Sequence, residues 1–171
     1  MTTEQRIARA KHPRSLIAGP YGHPFHPVAI TIPIGAWTAS LVFDIVAFAT
    51  DESAFAMGAA LLVGIGLVGA VLAATLGFMD FTQIARGTVA RKTALVHMAL
   101  NLTATALFAV SLLVRWTAGA DEPNVAAFVI SVVAFLITGA SGYLGGKLAY
   151  RWGIRVADEG TQSEGFQPTG R

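Results

Sequence analysis

The chain has no cysteine. Disulfides, thiolate metal sites and cysteine nucleophiles are therefore excluded, and any metal site must be built from histidine and carboxylates. Charge is scarce too: Asp, Glu, Lys and Arg make up 13% of the 171 residues, against 54% hydrophobic. A soluble domain of this size cannot hide that much apolar surface in one core. The net charge is only +2, so the chain has no strongly basic face for nucleic acid. No cleavable signal is expected, because the N-terminal residues are polar and lack a continuous apolar core. There is no nucleophile elbow and no phosphate-binding glycine loop after a strand, which points away from an enzyme acting on its own.

What is present is four apolar blocks of about 18 to 25 residues, each long enough to cross a hydrocarbon layer of roughly 30 Å as a helix. The expected fold is all-α, an antiparallel bundle of four transmembrane helices over residues 22–155, with spans at about 27–49, 54–78, 93–114 and 123–150. Residues 1–21 read as a basic cytoplasmic tail, chiefly disordered, although Ile7, Ala8 and Ala10 could support a short interfacial helix. Residues 156–171 read as a disordered cytoplasmic tail. In the first span Pro33, Trp37, Ser40 and Asp44 recur at helical spacing and should face inward, and Pro33 either kinks the helix or marks its start with Thr31 as cap. The stripe of Gly58, Gly66, Gly69, Ala73 and Gly77 should admit a close neighbour to the second span, as should Gly142-x-x-x-Gly146 in the fourth. Pro123 should open the fourth helix behind Asp121 or Glu122.

The polar residues that chemistry could use gather at one end. Gly22-His23-Pro24-Phe25-His26-Pro27 precedes the first span, Asp80 follows the second, and His97 lies about 6 to 8 Å into the third. A residue before proline avoids helical geometry, so this stretch should be a stiff extended clip with at most one histidine turned inward. Ionisable groups in lipid are costly unless paired, and so they often mark a site. One reading makes His26 and His97, with His23 as the other candidate, the ligands of haem b or a transition metal, and Asp80 a further ligand or a support to them. The other reading is structural: His97 bonds Asn101 or a carbonyl of a neighbouring helix, and Asp80 forms an ion pair with Arg86, Lys92 or Lys147. Asp44, about 27 Å along the helix from His26, belongs to the opposite face and should bond Ser40 or a cap.

Taken together, Gly22 to Pro27, Pro33-Ile34-Gly35, Ser40 to Asp44, Gly77 to Phe81, His97 to Asn101 and Ser141 to Gly146 form a spaced pattern. With it the chain resembles a bacterial family of small four-helix membrane proteins catalogued as domain of unknown function 2231. That resemblance implies a multi-pass protein of the bacterial cytoplasmic (inner) membrane and matches His23, His26, Asp44, Asp80, His97 and Asn101 without assigning them roles. It also implies a Rieske-type or other redox partner, since some members look to be joined to, or encoded with, such domains. The resulting expectation is a membrane electron-transfer protein that holds haem or a metal near the cytoplasmic face. The alternatives are a non-catalytic scaffold or partner subunit and a proton- or ion-linked transporter, the last requiring a homo-oligomer because the two halves of the chain show no repeat.

Lys and Arg set the orientation. The N-terminal tail, the connection between spans two and three, and the end of the fourth span with the tail after it hold all of them but Arg115, which places both termini in the cytoplasm. An alkaline phosphatase reporter fused to the C-terminus should be inactive and one fused at Asp51 active; the reverse pattern overturns the assignment.

Overall fold

The computed structural model describes residues 1–168 and contains, in order, α1 (Thr3–Lys11), a 3-10 turn at Leu16–Ala18, α2 (His26–Ala29), α3 (Thr31–Thr50), α4 (Ser53–Phe81), α5 (Val89–Ala118), α6 (Val125–Gly146), a π-helical turn at Lys147–Arg151 and α7 (Glu159–Glu164). No strand occurs among the described residues. Four helical stretches among them are long and apolar enough to cross a membrane: His26–Thr50, Ser53–Phe81, Val89–Ala118 and Val125–Arg151. The second and third spans run beyond their expected limits at both ends, whereas the fourth starts later than expected, and polar caps set two of the starts: Thr88 accepts from the Arg91 amide, and Asn124 from the Ala127 amide at 2.9 Å. Asn124, and neither Asp121 nor Glu122, is therefore the cap of α6.

Pro33 does part of both things expected of it. It has no N–H to offer Ala29, four residues earlier, so the ladder breaks there and the first span divides into α2 and α3 at Ile30. Thr31 is not a cap; its hydroxyl donates to the Val28 carbonyl at 2.7 Å. The return to α4 is made in two residues, with Asp51 in left-handed geometry at φ 56°.

Helix α3 packs on α4 and α5 on α6, and contacts of α4 with α5 and of α3 with α6 close the bundle. The glycines of α4 form the groove that receives the first span. A Cβ on Gly66 would lie within van der Waals overlap of the Trp37 indole, and one on Gly69 would meet Ile32 in the same way. Trp37 thereby reaches the middle of the bundle, stacks on Phe108 with centroids 4.0 Å apart, and packs with Val63 and Ala134. Dispersion supplies the stabilisation here, since lipid is as apolar as the helices. Gly142 has open space around it and Gly146 approaches only Tyr150, so the expected glycine contact on α6 is absent from the described residues. Gly145 is the one that meets a neighbouring helix, at His97.

Pro33, Trp37, Ser40 and Asp44 are buried as the spacing predicts. Asp44 does not bond Ser40, whose hydroxyl turns to the Trp37 carbonyl at 2.8 Å. Its partner is Arg115 near the end of α5: two parallel N–H donors meet the two carboxylate oxygens at 2.5 and 2.7 Å. A third contact from Arg115 reaches Ser131 at 3.4 Å, and Ser131 is 2.8 Å from Ser111, whose hydroxyl donates to the Ala127 carbonyl. One bidentate pair and two serines thus tie α3, α5 and α6 together.

The chain ends are ordered where the sequence suggests disorder. Thr2 and Gln5 form a reciprocal capping box that starts α1. Asp158 caps α7, accepting from the Thr161 amide at 2.8 Å. Residues 169–171, part of the expected disordered tail, lie outside the described residues.

Breaking the Asp44–Arg115 pair from one side leaves a buried charge without its counter-ion. Asp44→Asn and Arg115→Met should each destabilise the protein by about 3 to 5 kcal/mol in thermal unfolding in detergent, while Asp44→Leu combined with Arg115→Met should recover most of the loss.

Candidate functional site

His26 is the first residue of α2, not part of an extended clip. The turn of Pro20 to His23, with Gly22 at φ 76°, delivers Phe25 already in helical geometry, and this local structure overrides the bias of a residue before proline. His26 turns inward against α4, where its Nδ1–H donates to the Ala73 carbonyl at 2.9 Å. Gly77, one turn further along α4, makes room for the ring: a Cβ there would stand 2.9 Å from His26 Cε1.

His97 occupies the matching place between α5 and α6. Its Nδ1–H donates to the Ser141 carbonyl at 2.8 Å and shares the Ser141 hydroxyl at 2.9 Å, while that hydroxyl donates to the His97 carbonyl at 3.1 Å. Asn101, one turn along α5, donates from Nδ2 to His97 Nε2 at 3.1 Å. Gly145 plays the part that Gly77 plays for His26, with a Cβ position 3.1 Å from His97 Cε1. A carbonyl can only accept, so both histidines carry their proton on Nδ1 and present Nε2 as a lone pair. The two rings meet edge to face, with centroids 6.5 Å apart and planes at 88°.

The other expected members of the cluster stand apart. His23 is exposed, and its Nδ1 approaches only the carbonyl of Tyr21, at 3.4 Å. Asp80 is buried at the end of α4, where an anion opposes the helix dipole and needs a cation. That cation is Arg155, whose Nε lies 2.8 Å from Oδ1, and not Arg86, Lys92 or Lys147. No group of three or more His, Asp or Glu residues able to hold a metal ion occurs among the described residues. The arrangement the structure does form is a pair of imidazoles, with Asn101 beside one of them.

Arg155 was invisible as a functional residue in the sequence, where it opens an apparent tail. Its backbone takes up φ 61°, its amide donates to the Ala10 carbonyl at 3.0 Å, and its Nη2 donates to the carbonyls of Ala18 and Gly19, both at 3.0 Å. The side chain is 3% exposed. It pins the N-terminal segment, the C-terminal segment and the end of α4 at one point. Around it Lys11 donates to the carbonyls of Val156 and Ala157, and His12 stacks on Tyr21 with centroids 4.5 Å apart. Tyr21 in turn donates its hydroxyl to Asp158 at 2.7 Å. The two termini thus close the end of the bundle at which His26 enters it.

The spaced residues that suggested a family now lie on one bundle, and a family model described as "Predicted membrane protein (DUF2231)" matches residues 22–158. The chain belongs to this family. Neither a curated protein nor a solved structure matches it. In this DUF2231 protein the matched region covers the four spans, both inward histidines and the two buried ion pairs, Asp44–Arg115 and Asp80–Arg155. It stops at Asp158, the residue that Tyr21 holds.

Asp158 gives that clasp a pH dependence. The Thr161 amide, and after it the Tyr21 hydroxyl, hold its carboxyl below the ordinary 3.8. A depressed carboxylate pKa contributes stability above the unfolded value and loses it as the pH falls through the folded one. The Thr161 amide resonance of micelle-bound protein should therefore titrate on acidification with a midpoint below the ordinary 3.8. In Tyr21→Phe the midpoint should move upward.

Proposed function

We propose that this protein is a membrane electron carrier that binds one haem b between His26 and His97, in the bacterial inner membrane with both termini cytoplasmic. The observation that carries the reading is the fixed tautomer of two imidazoles on different helices, 6.5 Å apart, each with Nδ1–H on a backbone carbonyl and Nε2 free of a proton. This is how metal-binding histidines are commonly oriented and made more basic.

The donor set narrows the choice of metal centre. Two protein donors leave a bare zinc or copper ion short of ligands, whereas a porphyrin brings its own four nitrogens and needs few from the protein. His26 and His97 would hold the haem, which would supply one-electron chemistry. Ser141 would hold His97 in place and Ala73 would do so for His26, while Asn101 would turn aside to release His97 Nε2. Gly77 and Gly145 give the rings their room. Asp80 would act at a distance, by anchoring through Arg155 the termini that shield this end from water. Electron exchange would take place with a redox partner, of Rieske type or another kind, at the cytoplasmic face. The charge asymmetry of the loops supports the orientation.

A second reading, a membrane scaffold or partner subunit, is favoured by one observation: His97 already has partners on both ring nitrogens within the protein. Protein purified in detergent from cells supplied with haem and iron decides between the two. The proposal expects a Soret band, about one haem per chain, and loss of that band in His26→Ala and in His97→Ala with the helical circular dichroism retained. Colourless, metal-free wild-type protein would sink it in favour of the scaffold.

A further inference from the structure

A second site lies at the connection from α4 to α5, away from the histidines. There the chain forms an open cavity of about 360 Å³ whose lining includes Arg9, Arg86 and Arg91 together with Phe78, Phe81 and Thr82. No carboxylate lines it. The ion pairs among the described residues are Asp44–Arg115 and Asp80–Arg155, so none of the three guanidinium groups has an acidic partner there.

Two of the three are held in place. Arg91 lies over the Phe81 ring, 3.6 Å from its centroid, and its Nη1 donates to the carbonyls of Phe81 and Ile84 at 2.9 Å each. Arg9, on α1, donates from Nη2 to the Thr82 carbonyl at 3.3 Å and from Nε to Gln83 at 3.5 Å. Arg86 is exposed and makes no hydrogen bond among the described residues. Three like charges around one cavity repel one another, and the contacts that hold them use carbonyl oxygens, which leave the net charge in place. An anion with several acceptor oxygens is the natural complement, and guanidinium recognises phosphate by paired donors.

We propose that this cavity binds the phosphate of an anionic phospholipid. The two phenylalanines in the lining select lipid over free phosphate. Phe78, which lines the cavity with the arginines, is 55% exposed at the end of a membrane span, so an acyl chain can lie against it. Basic pockets at the ends of membrane helices bind anionic headgroups by this combination of charge and apolar contact. Helix α1 then has a purpose that its amphipathic sequence alone does not reveal: it carries Arg9 to the cavity.

The test uses the full-length protein in detergent, titrated with short-chain phosphatidylglycerol, phosphatidylcholine and inorganic phosphate and followed by native mass spectrometry. Phosphatidylglycerol should bind in preference to phosphatidylcholine, and Arg86→Gln, which breaks no hydrogen bond or ion pair among the described residues, should weaken it about fivefold, with Arg9→Gln adding a similar factor. Equal retention of phosphatidylcholine, or wild-type affinity in both variants, would overturn the proposal. Competition by inorganic phosphate at concentrations equal to those of the lipid would also overturn it, and would assign the cavity to a free anion. Displacement of phosphatidylglycerol only by another anionic lipid supports it.

Discussion

Between helices in a bilayer, hydrocarbon offers a polar atom nothing to bond, and every polar side chain turned inward must find its partner within the protein. The bundle is arranged by that requirement at two levels. Toward one end Asp44 and Arg115, with Ser111 and Ser131, tie three helices together. Toward the other, His26 is tied to α4, His97 to α6, and Asp80 to Arg155. Between them lies an apolar middle where Trp37 stacks on Phe108 over the glycine groove of α4. Polar ties give the helices their register, because each has few geometries that satisfy both partners. Close packing at glycine sets the distance.

The histidine end is also where the chain termini are used. Arg155 occupies a left-handed backbone position, which for a residue with a Cβ is unfavourable and persists only where its surroundings hold it. The holding contacts are four carbonyls of the N-terminal segment and one carboxylate of α4. A segment that looks like a polar tail thereby becomes the cover of the bundle end, and the same rearrangement brings α1 beside the α4–α5 connection. Cover, histidine pair and basic cavity all depend on the path of the termini. Removing the N-terminal helix would therefore affect two sites at once.

Much of the candidate site was legible as residue types and depth. The positions of His26 and His97 near one end, and the exclusion of Asp44 from them, follow from counting 1.5 Å per residue along helices whose ends are marked by charge. The need of Asp80 for a cation was legible from its place at a helix C-terminus. Which cation could not be read, because Arg155 is 75 residues away and its approach depends on a turn at Gly153 and a positive φ. The same holds for Arg115. Its place at a span end suggests an interfacial charge, and only the packing of α5 beside α3 shows that it is buried with Asp44.

The sequence by itself determined that the chain is a four-helix membrane bundle, where each span lies to within a few residues, and which face of the first span is buried. These are properties of single helices: apolar length against bilayer thickness, and periodicity along one segment. The tertiary structure alone decided the partners. It placed Arg155 rather than a loop lysine on Asp80, separated His23 from His26, set the two imidazoles 6.5 Å apart with their protons on Nδ1, and gathered Arg9 with Arg86 and Arg91. The physical reason is the same in each case. A hydrogen bond or ion pair is a distance between two atoms, and in a bundle that distance is set by how helices remote in sequence dock, which no pattern within one helix encodes.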